Sequence, residues 1–298
     1  MGGPILQHGI HSYNIWCIVS SFLFFPVCPQ LSISLFGRPD VSATTCMFTY
    51  PTLITGLPSS IKKMPQNEKP VFFFDIDNCL YPKSYKIQHL MSDLIDKYFQ
   101  DHLSLSQEEA NDLHLKYYRE YGLAIEGLVR HHKVDPLEYN AKVDDALPLE
   151  DIIKPSPELR KLLEDIDKSK VRMWLFTNAY VTHGKKVVKL LGVDDLFEGM
   201  TYCDYGSDKF YCKPHVEMFD KAMEQAGVKS NENCYFVDDS FINAKAAQER
   251  GWHTAHLLDP EDPEPPTRAA KHQLRSLEEL RTIFPHLFKS KPTVNGTT

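Results

Sequence analysis

Before Arg38 the chain contains no Asp, Glu, Lys or Arg. The apolar run at 15–28 therefore lacks the basic flank of a secretory signal, and Pro26 interrupts it. Its length, about 14 residues, also falls short of the roughly 20 that a membrane span needs. CxxC pairs are absent: seven cysteines, an odd number, are scattered along the chain. That spacing excludes a disulfide frame and a cysteine zinc site, and reads as reduced, intracellular thiols. Positive charge is scarce as well. A net charge of −7, without a basic stripe interleaved with aromatics, argues against a nucleic-acid partner. No internal repeat is present, which removes solenoid architectures.

What remains is the composition of a soluble globular protein, 42% apolar and 24% charged over 298 residues, enough for one large domain with an insertion or for two domains. Residues 1–66 differ from the rest, and the composition changes sharply at Met64. The expectation is that Met64 is a natural start and that the upstream segment is a non-essential extension or an artefact of gene prediction; a targeting segment and a folded role are the alternatives. No stable membrane association is expected, and the expected location is the cytoplasm, with the nucleus as a second.

The most informative stretch is Phe72-Phe73-Phe74-Asp75-Ile76-Asp77, an apolar run ending in carboxylates two apart. An unpaired buried carboxylate is strongly disfavoured, but the exit of a parallel strand is where open α/β sheets bind ligands. The pattern recurs. An apolar run at 171–176 leads into Thr177-Asn178, and another at 234–237 leads into Asp238-Asp239-Ser240. Each has strand length and is followed by a helical pattern. Three such ends would gather these groups at one sheet edge.

Between the first two strands the pattern is helical. Ile87, Leu90, Met91, Leu94, Ile95, Tyr98 and Phe99 keep helical spacing. Ser106 and Glu109 have the form of a capping box, opening a second helix that stops near Gly122. Shorter helices are predicted at 123–132 and 136–143. The organisation expected is a catalytic core of 67–84 and 155–258, a helical cap of 85–154, and a C-terminal tail of 259–298 with a short helix at 276–283. In the core, helices 157–167, 180–191, 215–226 and 241–250 alternate with the strands, three of them ending at Gly192, Gly227 or Gly251, and a short strand follows at 252–257. Asn295-Gly296-Thr297 matches a glycosylation sequon that carries no weight in an intracellular tail. The fold class is α/β, a Rossmann-like parallel sheet flanked by helices with an inserted helical cap.

The ordered set Asp75, Asp77, Thr177, Lys213, Asp238 and Asp239 suits phosphoryl transfer through a covalent intermediate. An anionic oxygen must attack phosphorus, a second group must move the leaving-group proton, and cations must offset phosphoryl charge. With Cys212-Lys213-Pro214 and Phe219, these motifs resemble, in order and spacing, the haloacid dehalogenase (HAD) superfamily of aspartate-nucleophile phosphatases over about residues 68–258. The stretch from Asp75 to Tyr81 and the segment from Tyr121 to Arg130 look like its fungal pyrimidine 5′-nucleotidase branch.

The resemblance implies roles. Asp75 would be the nucleophile and Asp77 the acid and then the base. Thr177, Asn178 and Lys213 would bind the phosphate, with Pro214 starting a helix behind the lysine. Mg²⁺ would be held by Asp75, the Asp77 carbonyl and Asp239, with Asp238 adjacent or reaching it through water. Cys79 stands where the family usually has Thr or Val, a structural departure. Asp77 separates phosphatases from carbon-halide dehalogenases, which lack an acid/base there. The implied activity is hydrolysis of UMP or CMP, a small nucleoside monophosphate being the partner. The alternatives are another small or lipid phosphomonoester such as lysophosphatidate, or a silent HAD-like binding module.

Blander readings stand beside these. Thr177 could be an ordinary helix N-cap, Asp238 a capping carboxylate and Lys213 a surface lysine. Cys79, Cys203, Cys212 and Cys234 read as packing thiols. Tyr117, Tyr118, Tyr121, Arg130, His131 and His132 could touch substrate, although helical spacing favours a core role for Tyr117 and Tyr121.

Overall fold

A computed structural model describes residues 68–290. The run at 15–28, Met64 and the sequon at Asn295 lie outside the described residues. Six strands form one parallel sheet in the order β3-β2-β1-β4-β5-β6. They are β1 (Val71–Phe74), β2 (Arg172–Phe176), β3 (Gly199–Thr201), β4 (Cys234–Asp238), β5 (His253–Leu257) and β6 (His272–Leu274). Strands after β1 first run to one side and then, from β4, to the other, so β1 and β4 flank the switch point where open sheets leave a crevice. The register sets Phe74 opposite both Leu175 and Val237. Asp75, Thr177 and Asp238 therefore leave the sheet along one edge.

Every residue of β1 is fully buried, as the apolar run requires for a central strand covered on both faces. Phe72 and Phe74 pack on one face with Leu163, Val187 and Phe284. Val71 and Phe73 face Phe176, Phe219 and Trp252, the Phe73 and Trp252 rings stacking at 4.9 Å.

The helices between β1 and β2 are α1 (Ile87–Leu103), α2 (Gln107–Tyr121), α3 (Ala124–His132), α4 (Pro136–Lys142), α5 (Leu149–Ile152) and α6 (Pro157–Glu164). The capping box forms: Ser106 accepts from the Glu109 N–H while Glu109 accepts from the Ser106 N–H. Gly122 ends α2 at φ +85°, a left-handed position that favours glycine. Helices α1–α4 share an apolar cluster around Phe99, Tyr117, Ile125, Leu128 and Tyr139, which extends to Cys203, Tyr205 and Cys212 beyond β3.

After β2 come α7 (Val181–Leu191), α8 (Val216–Ala226), α9 (Phe241–Glu249) and, near the C-terminus, α10 (Leu280–Ile283). Gly192 and Gly227 are left-handed caps as expected, but α9 ends at Glu249 with Arg250 as its cap, one residue before Gly251. Over the described residues 259–290 the chain is not a tail. It supplies β6, and Phe284, Leu287 and Phe288 join the main core. No helix among the described residues is long and apolar enough to cross a membrane.

Candidate active site

The Lys213 ammonium lies at the centre of the edge. It donates to Asp75 Oδ1 at 2.8 Å, Asp238 Oδ2 at 2.6 Å and the Phe176 carbonyl at 2.7 Å. These three acceptors match the three donors of a lysine. Its side chain is 1% exposed, so the surface-lysine reading is excluded. Burial opposes the charge, but Asp238 and Asp75 outweigh it and hold Lys213 above its ordinary value. A reciprocal clasp fixes its backbone: Asn178 Nδ2 donates to the Lys213 carbonyl at 2.9 Å, and the Lys213 N–H donates to Asn178 Oδ1 at 2.6 Å. The Asn178 side chain is thus engaged on the lysine, leaving its backbone N–H for any phosphate contact. Pro214 does not open a helix; α8 begins at Val216 after the cap residue His215, and the Lys213–Pro214 bond is cis.

Asp238 is fully buried, and both its oxygens are taken. Oδ1 accepts from the Ser240 N–H at 2.8 Å, and Asn243 on α9 reaches both oxygens at 3.2 and 3.3 Å. It joins the start of α9 to the lysine, but it is not the cap of α9, which is Ser240. Asp75, Asp238 and Asp239 each bring a carboxylate oxygen within 4.8 Å of the others. Burial pushes Asp75 well above the carboxylate range; Lys213 works against this, and Asp238, Asp239 and Asp77 add to it. Burial, with the Asp238 charge, pushes Asp239 up to about 7. Crowded hard-oxygen donors of this kind fit a divalent cation such as Mg²⁺.

A second set of potential ligands, Glu126, Cys212 and His215, also lies within 4.8 Å. Glu126 is paired with Arg130, however, and burial together with Glu126 pushes the Cys212 thiol up to about 12.

Asp77 is bonded to partners outside this group. Its Oδ1 accepts from the Tyr81 hydroxyl at 2.7 Å and lies 2.7 Å from His183 Nε2. Burial would raise its pKa, but the charge and hydrogen bond of His183 and the Tyr81 hydroxyl hold it below the usual carboxylate range. Thr177 is not the cap of α7, which is Tyr180. Its Oγ1 accepts from the Ala179 N–H at 3.0 Å, and its own N–H donates to Thr201, leaving the hydroxyl proton to be donated.

Of the tyrosines and basic residues singled out between β1 and β2, most bond to one another. Tyr117 pairs with His132 at 2.6 Å and Tyr121 with His131 at 2.7 Å. Burial and then the Asp239 and Asp238 charges push the Tyr118 hydroxyl up to about 12. Sequence reasoning missed Tyr81, His183 and Asn243. The signal for His183 was a histidine on the apolar face of α7, in step with Val187 and Leu191.

The haloacid dehalogenase-like hydrolase family model matches residues 69–251. Phosphate metabolism protein 8 of Saccharomyces cerevisiae is 42% identical over 204 residues, 65% of this chain and 64% of that protein. The chain thus spans less than two thirds of that relative's length. Glyceraldehyde 3-phosphate phosphatase of Methanocaldococcus jannaschii is 25% identical over 72% of this chain and 97% of its own. In fold, a hydrolase from Pseudomonas syringae matches with a TM-score of 0.53 at 19% identity, covering 74% of this chain and 100% of that one. A family model spanning both sheet halves, and a relative identical at two positions in five, agree with the strand-end motifs: this chain belongs to the haloacid dehalogenase-like hydrolases.

Proposed function

We propose that the chain is a Mg²⁺-dependent phosphomonoesterase working through an aspartyl phosphate, with UMP and CMP as substrates. The observation that carries the reading is the buried Lys213 ammonium bridging Asp75 and Asp238 beside an Asp77 held on separate partners. Bound to Asp75, Asp239 and the Asp77 carbonyl, with Asp238 behind, the cation would offset the repulsion between a carboxylate and a phosphate dianion.

In the first step a carboxylate oxygen of Asp75 forms a bond to phosphorus as the ester P–O bond breaks. Protonated Asp77 gives its proton to the departing alkoxide oxygen. In the second, Asp77 takes a proton from water, the water oxygen attacks phosphorus, and Asp75 leaves with its electron pair as inorganic phosphate forms. Lys213 neutralises the phosphoryl oxygens throughout, and the Thr177 hydroxyl donates to one of them. The approaching phosphate dianion supplies a like charge that favours the protonated form of Asp77 that the first step needs.

A second reading, hydrolysis of another small phosphomonoester, is favoured by the M. jannaschii relative, whose name specifies a phosphorylated triose. A silent module is disfavoured by the intact set of groups. The test is phosphate release by the full chain with Mg²⁺ from UMP, CMP, AMP, GMP, glyceraldehyde 3-phosphate and lysophosphatidate, beside Asp75→Asn. Release from UMP and CMP that disappears in the variant is expected. Activity confined to another ester keeps the chemistry and replaces the substrate; release that survives Asp75→Asn removes the nucleophile.

A further inference from the structure

His183 has no role in the chemistry above, yet it is 1% exposed and its Nε2 lies 2.7 Å from Asp77 Oδ1. A core histidine that merely fills space uses both ring nitrogens or faces apolar neighbours. Here Nδ1 is buried without a partner among the described residues, while Nε2 is committed to Asp77. An orphaned buried polar atom is costly and calls for an explanation; the bond to Asp77 supplies it.

The local backbone is shaped to make that bond. Gly184, the next residue on α7, sits so close to β3 and to the β1 exit that an added Cβ would lie 2.9 Å from Met200 Sδ on β3 and 3.3 Å from Ile76 Cδ1. Glycine there lets α7 approach the strand end, bringing His183 to Asp77. On the other side the chain turns tightly: Leu80 N–H donates to the Ile76 carbonyl at 2.9 Å, and Asn78 takes φ +56°. The turn returns Tyr81, whose hydroxyl donates to the same Oδ1 at 2.7 Å. Two buried donors from different elements thus converge on one oxygen of a carboxylate whose side chain is 32% exposed.

We propose that His183, together with Tyr81, is a positioning residue that occupies Oδ1 of Asp77 and so confines proton exchange with substrate and water to Oδ2. This rests on the acid and base role given to Asp77 above. An Asp77 freed from both donors rotates about its χ angles and offers either oxygen in many orientations, and misplaced proton donors lose most of their effect. The loss falls on esters whose leaving alkoxide needs the proton. A nitrophenolate leaves as a stable anion and needs none.

The test compares the full-length wild type with His183→Leu, His183→Gln and Tyr81→Phe on UMP, glycerol 2-phosphate and p-nitrophenyl phosphate, reading kcat/KM, which covers steps up to leaving-group departure. For His183→Leu we expect a loss of about 10²-fold on the alkyl esters and one at least about tenfold smaller on p-nitrophenyl phosphate. His183→Gln, whose side-chain amide reaches the place of Nε2, recovers most of the alkyl activity. Equal losses on all esters, or no loss on any, overturn the proposal. Should His183→Leu fail to fold, the ratio between ester types in His183→Gln and Tyr81→Phe decides, an unchanged ratio in both counting against it. A wild type inactive on every ester instead removes the phosphatase reading, and this inference with it. If only glycerol 2-phosphate is cleaved, the nucleotide reading fails while this comparison stands.

Discussion

Asp144 shows how one buried carboxylate ties stability to pH. It is 4% exposed; burial pushes it up to about 7, with His183 opposing, Asp77 and Asp145 adding, and a Tyr205 hydrogen bond opposing. Its folded pKa thus stands above the unfolded value of about 4. Between those values the folded state binds more protons than the unfolded one, so the stability from protonated Asp144 falls as pH rises from about 4 to about 7 and stays lost above. Asp144→Asn removes the titration and keeps an acceptor for Tyr205. We expect the variant to exceed wild type at pH 8 by on the order of 1–3 kcal/mol, the gap narrowing towards pH 5. Thermal melts at both values check this, and a gap independent of pH contradicts it.

The residues legible in the sequence share one property: they end apolar runs. Asp75, Thr177, Asp238 and Asp239 follow strands whose burial the run itself announces, and Lys213 stands out by its Cys-Lys-Pro setting. His183, Tyr81 and Asn243 follow no such rule. Their neighbours are set by how closely α7 and α9 pack on the sheet and by a turn with a left-handed asparagine, which are matters of tertiary approach.

Among the elements, α2 and α3 meet through Gly127, whose position leaves no room beside the Tyr117 ring: a Cβ would overlap its Cβ, Cγ and Cδ2 atoms. Gly127→Ala forces apart the helices that carry Tyr117, Ile125 and Leu128. Overpacking of this kind costs about 1–3 kcal/mol, to be read as a lower denaturation midpoint in urea. An unchanged midpoint would mean that the ring moves aside freely. Elements with strong local signals were legible: β1, β2 and β4 from their apolar runs, α2 from its capping box. The three-residue strands β3 (Gly-Met-Thr) and β6 (His-Gln-Leu) were not, because neither has room for a period. Their pairing comes from β2 and β5. The same omission made the stretch after 259 read as a tail, although its aromatics complete the core.

For the molecule as a whole, the cluster of Asp75, Asp238 and Asp239 against one lysine is a source of self-repulsion that a bound cation would relieve. A ligand that binds only the folded state stabilises it by about 2.7 kcal/mol at a hundred times its Kd. Titrating Mg²⁺ into the full chain is expected to raise Tm, EDTA to reverse the gain, and Asp239→Asn to abolish most of it. A Tm indifferent to Mg²⁺ would count against a cation at these carboxylates.

The buried thiols have one more consequence. Cys79, Cys203, Cys212 and Cys234 are all enclosed, and burial pushes each thiol upward, Cys212 and Cys234 to about 12. Oxidants and alkylating agents attack thiolates, and these four are kept protonated. With the Asp75 carboxylate as the proposed nucleophile, the described cysteines offer peroxide no thiolate to switch off. Where enzymes built on a reactive cysteine pause under oxidative stress, this centre would go on turning over.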